Sequence, residues 1–262
     1  MPAMEEALTF TDPAGHKIFG ILAKPDKKTD RLAVLCHGFL SNKNSKTNHA
    51  LTAMLVPQGI ATFRFDFFGQ GESEGPFEKI TVTTAVQQAL AALDLVGTKG
   101  YRRIGLVGSS FGGLVGLLAA AQTPQLACLA LKCPVPDFPE MLNLEFGEAG
   151  IAPWKASDTI PNVVPGGTGR IKLSYGFYED CTRHDGYAAA KAITAPTLIV
   201  QGDADEYVPI HQSRRLADSL GGRHSIVILQ GADHHFSDPA HFREMTTVIA
   251  QWVSEHLNAK AS

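Results

Sequence analysis

The chain has 262 residues, 44% of them hydrophobic and 19% charged, which excludes a disordered protein and fits one α/β domain with insertions. Its formal net charge is −3 and like charges do not cluster, which argues against nucleic acid or a membrane surface as a partner. No apolar stretch is long enough to cross a bilayer, and the acidic first ten residues do not resemble a signal peptide.

The first half of the chain predicts strands that alternate with helices. A hairpin is expected from two short strands around the turn DPAGH, and the unbroken apolar run RLAVLCHG is typical of a strand buried on both faces. Helical spacing of Leu and Ala residues predicts the helices. In chain order we expect strands over 6–10, 17–22 and 31–38, a helix over 46–57, a strand over 59–66 and a helix over 80–97.

The same alternation continues to the end of the chain, apart from one segment. Strands are predicted over 102–108, 128–133, 195–202 and 225–230, and helices over 110–122, 210–220 and 239–257. About eight strands alternating with helices predict an α/β fold with a mostly parallel sheet covered on both faces. Residues 134–190 break the rhythm and are rich in proline, glycine and scattered aromatic residues. We therefore expect an α/β core from 1–133 and 191–262, and an inserted cap from 134–190.

The four cysteines form neither a CxxC pair nor a cluster with histidine at zinc spacing. Cys36 and Cys128 lie in apolar runs that predict buried strands, and Cys133 and Cys181 lack any partner pattern. Small core thiols of this kind are typical of a reducing compartment, so we expect a cytoplasmic protein without a metal site.

The stretch GLVGSSFGGLVG contains two adjacent serines at a predicted strand-to-helix junction. The spacing Gly108–x–Ser110–x–Gly112 fits the G-x-S-x-G pattern, whereas centring it on Ser109 would need glycine at 107, where Val107 stands. A nucleophile on such a tight turn needs glycine on each side, because a side chain there would collide with the neighbouring strand or helix. Ser110 is therefore the candidate nucleophile.

A serine hydroxyl needs a base, usually an imidazole that a carboxylate holds in the required tautomer. Candidates follow two later predicted strands. The loop QGDADEYVP contains Asp203 and Asp205, and the loop GADHHF contains His234 and His235. The chain order Ser, Asp, His is that of a nucleophile-elbow hydrolase, but the order alone leaves both pairs open. Asp137, after the strand CLALKC, is a further candidate acid.

Five blocks together resemble the α/β-hydrolase superfamily: HGFLSNK, RFDFFGQGESEG, GSSFGG, QGDADEYVP and GADHHF. The pattern is similar to small cytoplasmic serine esterases of the cinnamoyl/feruloyl esterase type. This resemblance implies that Asp205 is the acid and His234 the base, because the acid stands three positions after Gly202 and the base two before Phe236. It also implies that the backbone N–H groups of Phe39 and Phe111 form the oxyanion hole. His37 would then support its loop through hydrogen bonds.

The resemblance implies a carboxylic ester hydrolase that needs no cofactor and acts on a small-molecule ester, with an aryl or medium-chain acyl group. Because the acyl-enzyme is shared, a thioesterase, an acyltransferase or a peptidase is the alternative for the same three residues. The cap aromatics Trp154, Tyr175, Phe177 and Tyr178 would either line the substrate pocket or form the cap's own core, and we favour the second interpretation. The sequence contains no pattern that indicates an oligomeric state.

Overall fold

The computed structural model describes residues 4–161 and 169–259, except for the side chain of Glu148. Residues 162–168, which fall within the expected cap, and the termini 1–3 and 260–262 lie outside the described residues. The strands are β1 Met4–Thr11, β2 Lys17–Lys24, β3 Arg31–Cys36, β4 Ala61–Phe65, β5 Arg103–Ser109, β6 Cys128–Lys132, β7 Thr159–Pro161, β8 Arg170–Lys172, β9 Thr197–Gly202 and β10 His224–Leu229. The α-helices are α1 Lys46–Leu55, α2 Val82–Thr98, α3 Phe111–Ala120, α4 Phe138–Ser157, α5 Gly176–Cys181, α6 Gly186–Ala190, α7 Ile210–Ser219 and α8 Pro239–Asn258.

Eight strands form one sheet in the order β1-β2-β4-β3-β5-β6-β9-β10. The pairs β1–β2 and β2–β4 are antiparallel, and every other neighbouring pair is parallel. The predicted α/β fold with a mostly parallel sheet of about eight strands is confirmed. Because the carboxyl ends of the parallel strands share one edge, the loops after β3, β5, β9 and β10 meet there.

The sheet is buried on both faces, which explains the unbroken apolar runs of its central strands. In β3, Leu32 and Val34 pack into one core while Ala33 and Leu35 pack into a second core on the opposite face. The first core includes buried side chains of α2 and α3, and the second includes those of α1 and α8. Alternate residues of one strand therefore stabilise two layers of helices.

The described part of residues 134–190 adds no strand to the large sheet. It contains α4, α5 and α6 and a separate two-stranded sheet of β7 and β8. The 20-residue helix α4 was not predicted from the sequence; it changes direction at Gly147, which has φ 63°. Trp154 in α4 is fully buried and packs against the rings of Phe146, Tyr175, Phe177 and Tyr178. These aromatic rings pack on one another beside the sheet edge.

Among the helices in the described ranges, none combines the length and the apolar character that a bilayer crossing requires.

Candidate active site

Ser110 occupies a sharp turn between β5 and α3. Its backbone has φ 53° and ψ −114°, a conformation that side-chain-bearing residues seldom adopt and that costs about 1–3 kcal/mol. Its N–H donates to the carbonyl oxygen of Lys132 at 2.8 Å, and its own carbonyl accepts from the N–H of Gly113 at 2.8 Å. The turn is therefore fixed from the neighbouring strand β6 as well as from its own helix.

The two glycines of the pattern have the steric role that their spacing predicts. A Cβ on Gly108 would lie 2.7 Å from the carbonyl carbon of Gly112, and a Cβ on Gly112 would lie 2.6 Å from the carbonyl oxygen of Cys36. Both distances are too short for real contacts, so only glycine lets α3 begin so close to β3 and β5.

The hydroxyl of Ser110 lies beside the ring of His234, which in turn contacts Asp205. Ser110 Oγ is 3.1 Å from His234 Nε2, and His234 Nδ1 is 2.8 Å from Asp205 Oδ2. Since a carboxylate only accepts, Nδ1–H is the donor and Nε2 is left to accept the serine proton. The structure thus joins residues from the loops after β5, β9 and β10 in one hydrogen-bonded chain.

Asp205 is held by donors on both carboxylate oxygens. Oδ1 accepts the N–H groups of Tyr207 and Val208 at 3.0 and 2.8 Å, and Oδ2 also accepts from Gln201 Nε2 at 2.7 Å. Burial raises the pKa of Asp205, but the hydrogen bond and charge of His234 and the Val208 N–H outweigh burial and leave this pKa below its usual value. The carboxylate is therefore ionised at neutral pH and oriented toward the imidazole.

His234 is buried, with 6% of its surface exposed. Burial lowers its pKa, the hydrogen bond to Asp205 opposes burial, and the positive charge of Lys132 lowers the pKa further, so that it lies below the usual value. The imidazole is consequently neutral at physiological pH, as a general base must be.

The N–H groups of Phe39 and Phe111 are available at the same edge. Within residues 4–161 and 169–259, neither donates to a protein acceptor. Phe111 is the first residue of α3, so its N–H adds to the positive end of the helix dipole. Two such unused N–H groups near a serine hydroxyl could donate hydrogen bonds to a negatively charged oxygen.

His37 supports the Phe39 loop and contacts no residue of the Ser110 chain by hydrogen bond. Its Nδ1–H donates to the carbonyl of Gly38 at 2.8 Å, and its Nε2 accepts the N–H of Phe67 at 3.1 Å. Burial lowers the pKa of His37 to about 4, against the opposing effect of the Gly38 carbonyl, so the ring is neutral. Both ring nitrogens are thus engaged in fixing two loops to each other.

Backbone strain concentrates around Ser110. Five described residues other than glycine have a positive φ, and four of them flank the groups above: Leu40, Ser110, Cys133 and Phe236. Leu40 follows Phe39, and Phe236 stands two residues after His234. Such conformations persist only where the surroundings fix them, and they gather at functional sites.

A cavity of about 430 Å³ lies over Ser110 and His234. Its volume falls in the range of small-molecule sites. The sheet-edge loops contribute Phe39, Leu40, Tyr207 and Val208 to its walls. The segment 134–190 contributes six further residues, of which five are apolar and one, Glu145, is acidic; the apolar ones are Phe138, Met141, Leu142, Phe146 and Ile160. The hydroxyl of Ser110 therefore faces a mainly apolar space.

The model for the family described as "Alpha/beta hydrolase family" matches residues 33–245, which is most of the chain. The chain belongs to the alpha/beta hydrolase family. The resemblance expected from its five sequence blocks is thereby confirmed.

Known proteins and solved structures are similar to this chain. The chain is 28% identical to a rat protein, the mitochondrial palmitoyl-protein thioesterase ABHD10, over 207 residues, which are 78% of this chain and 68% of the rat protein. The structure of Est1E from Butyrivibrio proteoclasticus with bound ferulic acid superposes with a TM-score of 0.83 at 24% identity, covering 97% of this chain and all of that chain. Mouse ABHD10 superposes with a TM-score of 0.78 at 22% identity, covering 95% and 99%.

The other candidate residues that the sequence of this alpha/beta hydrolase offered lie outside the hydrogen-bonded chain of Ser110, His234 and Asp205. Ser109 ends β5 and lines the cavity, Asp203 accepts the N–H of Gly231, and the ring of His235 packs against Tyr207. Asp137 caps α4 by accepting the N–H of Glu140 at 3.0 Å. Within the described ranges, none of these four has a hydrogen bond to the Ser110–His234 pair.

One group of potential metal ligands converges in the described part of this hydrolase: Cys133, Asp205 and His234. The carboxylate and the imidazole of this group are already joined to each other by the 2.8 Å hydrogen bond. Burial raises the pKa of Cys133 to about 12, so its sulfur is a neutral thiol at physiological pH. The donor set fits a hydrogen-bonded network better than a cation site, where a thiolate would be required.

Two residues near the site were missed from the sequence. Gln201 donates to Asp205, and Lys132 donates through Nζ to the carbonyl oxygen of His234. Lys132 carried a visible signal, since it is the one charged residue in the apolar strand CLALKC. Gln201 carried none, because a polar residue at a strand end is ordinary.

Proposed function

We propose that this alpha/beta hydrolase is a carboxylic ester hydrolase that forms an acyl-enzyme on Ser110. The observation that supports the proposal most is the continuous contact from Ser110 Oγ through His234 to Asp205. An isolated serine, histidine or carboxylate has many uses, but this orientation of the three suits proton transfer from a hydroxyl.

In the first step, His234 Nε2 takes the hydroxyl proton while Ser110 Oγ attacks the acyl carbonyl carbon. The carbonyl oxygen becomes an oxyanion that the N–H groups of Phe39 and Phe111 stabilise, and each such donor typically contributes about 3 kcal/mol. Asp205 stabilises the imidazolium. The alcohol leaves with the proton from His234, and water then repeats the sequence to release the acid.

The apolar walls of the cavity favour a substrate with an aryl or medium-chain acyl group. A charged acyl chain would lose hydration among the mainly apolar side chains that residues 134–190 contribute, and an anionic one would also share the cavity with the carboxylate of Glu145. We propose that this segment acts as a cap that selects the acyl group. Comparing kcat/KM over p-nitrophenyl esters of increasing chain length and methyl ferulate tests this substrate class.

Thioester hydrolysis is the second candidate function. It is favoured by the 28% identity to a protein named as a palmitoyl-protein thioesterase. The acyl-enzyme is the same in both reactions, so the ester and the thioester of one acyl group should be compared directly. A thioester preference of an order of magnitude or more would assign the chain to thioesters.

The proposal is tested by replacing the nucleophile. Ser110→Ala should lower kcat for p-nitrophenyl butyrate by about 10⁴-fold or more and should abolish labelling by a fluorophosphonate probe. Ser109→Ala is the matched control, because it removes the adjacent hydroxyl and keeps the Ser110–His234 contact; it should still be labelled. Full turnover by a folded Ser110→Ala variant would refute the proposal.

Four unpaired, buried cysteines suit a reducing compartment. On that ground we also propose a cytoplasmic location, which fractionation of the source cells would test.

A further inference from the structure

Lys132 is a buried charged residue that the mechanism above does not use. It ends β6, and only 6% of its surface is exposed. Within residues 4–161 and 169–259, no carboxylate lies within ion-pair distance of its Nζ. Burying an unpaired ammonium is costly, so a lysine in this place calls for a reason.

Two hydrogen bonds of Lys132 connect the proposed proton donor, Ser110, with the proposed proton acceptor, His234. Its carbonyl oxygen accepts the N–H of Ser110 at 2.8 Å, and its Nζ donates to the carbonyl oxygen of His234 at 2.5 Å. One residue is thus bonded to the nucleophile through its backbone and to the base through its side chain. The distance between Ser110 Oγ and His234 Nε2 depends on both bonds.

A third contact stabilises the charge. Nζ lies 5.3 Å from the centre of the Phe236 ring, and Phe236 has a positive φ of 52° in the loop that carries His234. A cation over an aromatic face is attracted by the negative charge of that face, and the attraction is stronger when it is shielded from water. The carbonyl and the ring together partly replace the water that the ammonium has lost.

We propose that Lys132 is a positioning residue, which ties the Ser110 turn to the His234 loop and places a buried positive charge beside the imidazole. The inference rests on the proposed function of Ser110 and His234. The tie keeps the two side chains within hydrogen-bond distance. The charge disfavours the imidazolium in the resting enzyme, so that His234 stays neutral and able to accept a proton at lower pH.

Other ionisable groups also face His234 and set the background for this effect. They are Asp205 at Nδ1, Glu206, whose carboxylate accepts the His234 N–H at 3.2 Å, the adjacent His235, and the side chains of Cys133 and Tyr207. Asp205 raises the pKa of His234, while Lys132 and His235 lower it. Removing the charge of Lys132 must therefore raise the pKa of His234.

The test uses Lys132→Met, which keeps the length of the side chain and removes its charge and donors. We expect kcat/KM at the pH optimum to fall by about ten- to a hundredfold, because the nucleophile and base lose their common tie. The acidic limb of the pH profile should move upward by about one pH unit, because the imidazole is protonated more easily. The pH dependence of the rate of fluorophosphonate labelling measures the same acidic limb without a substrate.

Two further variants separate charge from fold. Lys132→Arg keeps the charge and donors and should restore the acidic limb, even if its plateau rate is lower. Lys99→Met removes an exposed charge that follows α2 and should leave the limb in place. Far-ultraviolet circular dichroism establishes that each variant is folded.

A folded Lys132→Met enzyme with an unchanged limb and an unchanged rate would overturn the inference. An equal loss in Lys132→Arg and Lys132→Met, without movement of the limb, would also overturn it, since packing alone would then explain the loss. If Ser110→Ala kept its turnover, the proposed function itself would be wrong. If Ser110→Ala were inactive and Lys132→Met normal, only the role of Lys132 would be wrong.

Discussion

The loops that carry Ser110, Asp205 and His234 differ in construction from the segment 134–190 that faces them. Each loop directly follows a strand of the large sheet, so the ladder of backbone hydrogen bonds fixes where its side chains lie. The segment meets the core largely through side chains. Examples are Asp180, which accepts from Thr83, and Glu140, which contacts His211 and Gln212.

This difference would separate the proposed chemistry from the proposed selection of the acyl group. Ser110, Asp205 and His234 lie on loops anchored by the hydrogen-bond ladder of the sheet. The cavity wall above them is joined to the core by side-chain contacts instead, both polar ones and apolar ones such as those of Phe138 and Phe177 with Phe111. Evolution can therefore change the residues or the position of the wall without disturbing proton transfer. Different regions of one protein also open at different free energies, so a segment outside the strand ladder can open before the sheet. The following predictions test both halves of this comparison.

Asp205→Asn should have the largest effect. An amide can donate to His234 Nδ1 and so favour the tautomer whose Nε2 carries the proton and cannot accept one from Ser110. We expect kcat to fall on the order of 10⁴-fold with the fold intact. Steady-state hydrolysis of p-nitrophenyl butyrate measures the loss.

Asp203→Asn is the control for the same loop. Asp203 accepts the N–H of Gly231 and contacts neither Ser110 nor His234, so this change should affect kcat far less. A greater loss in Asp203→Asn than in Asp205→Asn would reverse the assignment of the acid.

Gly112→Ala should have the next largest effect, because it disturbs the packing of α3 against the sheet. The new methyl group would overlap the carbonyl oxygens of Cys36 and His37 at the end of β3. Relief requires α3 to move away from the sheet, which should lower the free energy of unfolding by about 3 kcal/mol and slow the labelling of Ser110. Urea denaturation and the fluorophosphonate probe measure the two effects.

Gly97→Ala is the control and should change the stability in the opposite direction. Gly97 lies in α2, and a Cβ there would have no atom within 4 Å apart from its chain neighbours and the backbone of its own helix. Alanine favours a helix over glycine by about 0.5–1 kcal/mol, so this variant should be slightly more stable than the natural chain. Equal destabilisation by both changes would mean that close packing is not what requires Gly112.

The two regions also differ in how far the sequence predicts them. Gly108, Ser110 and Gly112 are predictable because a tight turn between a strand and a helix restricts which residues fit. The choice of Asp205 over Asp203, and of His234 over His235, needed the family pattern. Residues so close in one loop differ mainly in the direction of their side chains, which the sequence does not give. The helix α4 and its bend at Gly147 escaped prediction, because its Pro and Gly residues contradict helical propensity and packing overrides them.

Lys132 illustrates the same limit within the core. Its place at the end of β6 follows from the strand pattern. Its hydrogen bond to His234 depends on the conformation of the loop after β10. No local rule contains that contact, which joins residues 102 positions apart.

Asp180→Asn should loosen the segment 134–190 without stopping the chemistry. The carboxylate of Asp180 accepts the N–H and the hydroxyl of Thr83 at 2.8 and 2.7 Å, which ties α5 to the start of α2. Losing a charged acceptor of this kind costs about 1.5–3 kcal/mol. We expect KM to change more than kcat, and backbone amides of α4 and α5 to exchange hydrogen faster than those of β5.

The same contact predicts a pH dependence. Burial raises the pKa of Asp180, but the hydrogen bonds from His184 and Thr83 outweigh burial and lower it to about 2. Because the folded pKa lies below the unfolded value of about 4, the carboxylate stabilises the fold above that pH and loses its contribution as pH falls toward 2. Lower protection of the α5 backbone amides against hydrogen exchange below about pH 4 in the natural chain would support this role of Asp180. The protection should depend less on pH in Asp180→Asn.

The smallest effect concerns the four cysteines, which report on both regions at once. All four are buried; burial raises the pKa of Cys36, Cys128 and Cys133 to about 12 and that of Cys181 well above its usual value. The native protein should therefore resist maleimide at neutral pH and keep its activity. In urea below the unfolding transition, Cys181 in α5 should react before the three core thiols, and Asp180→Asn should speed its reaction further. Mass spectrometry of labelled peptides identifies each site. Simultaneous labelling of all four would show that residues 134–190 open only with the sheet, and the two regions would then be one cooperative unit.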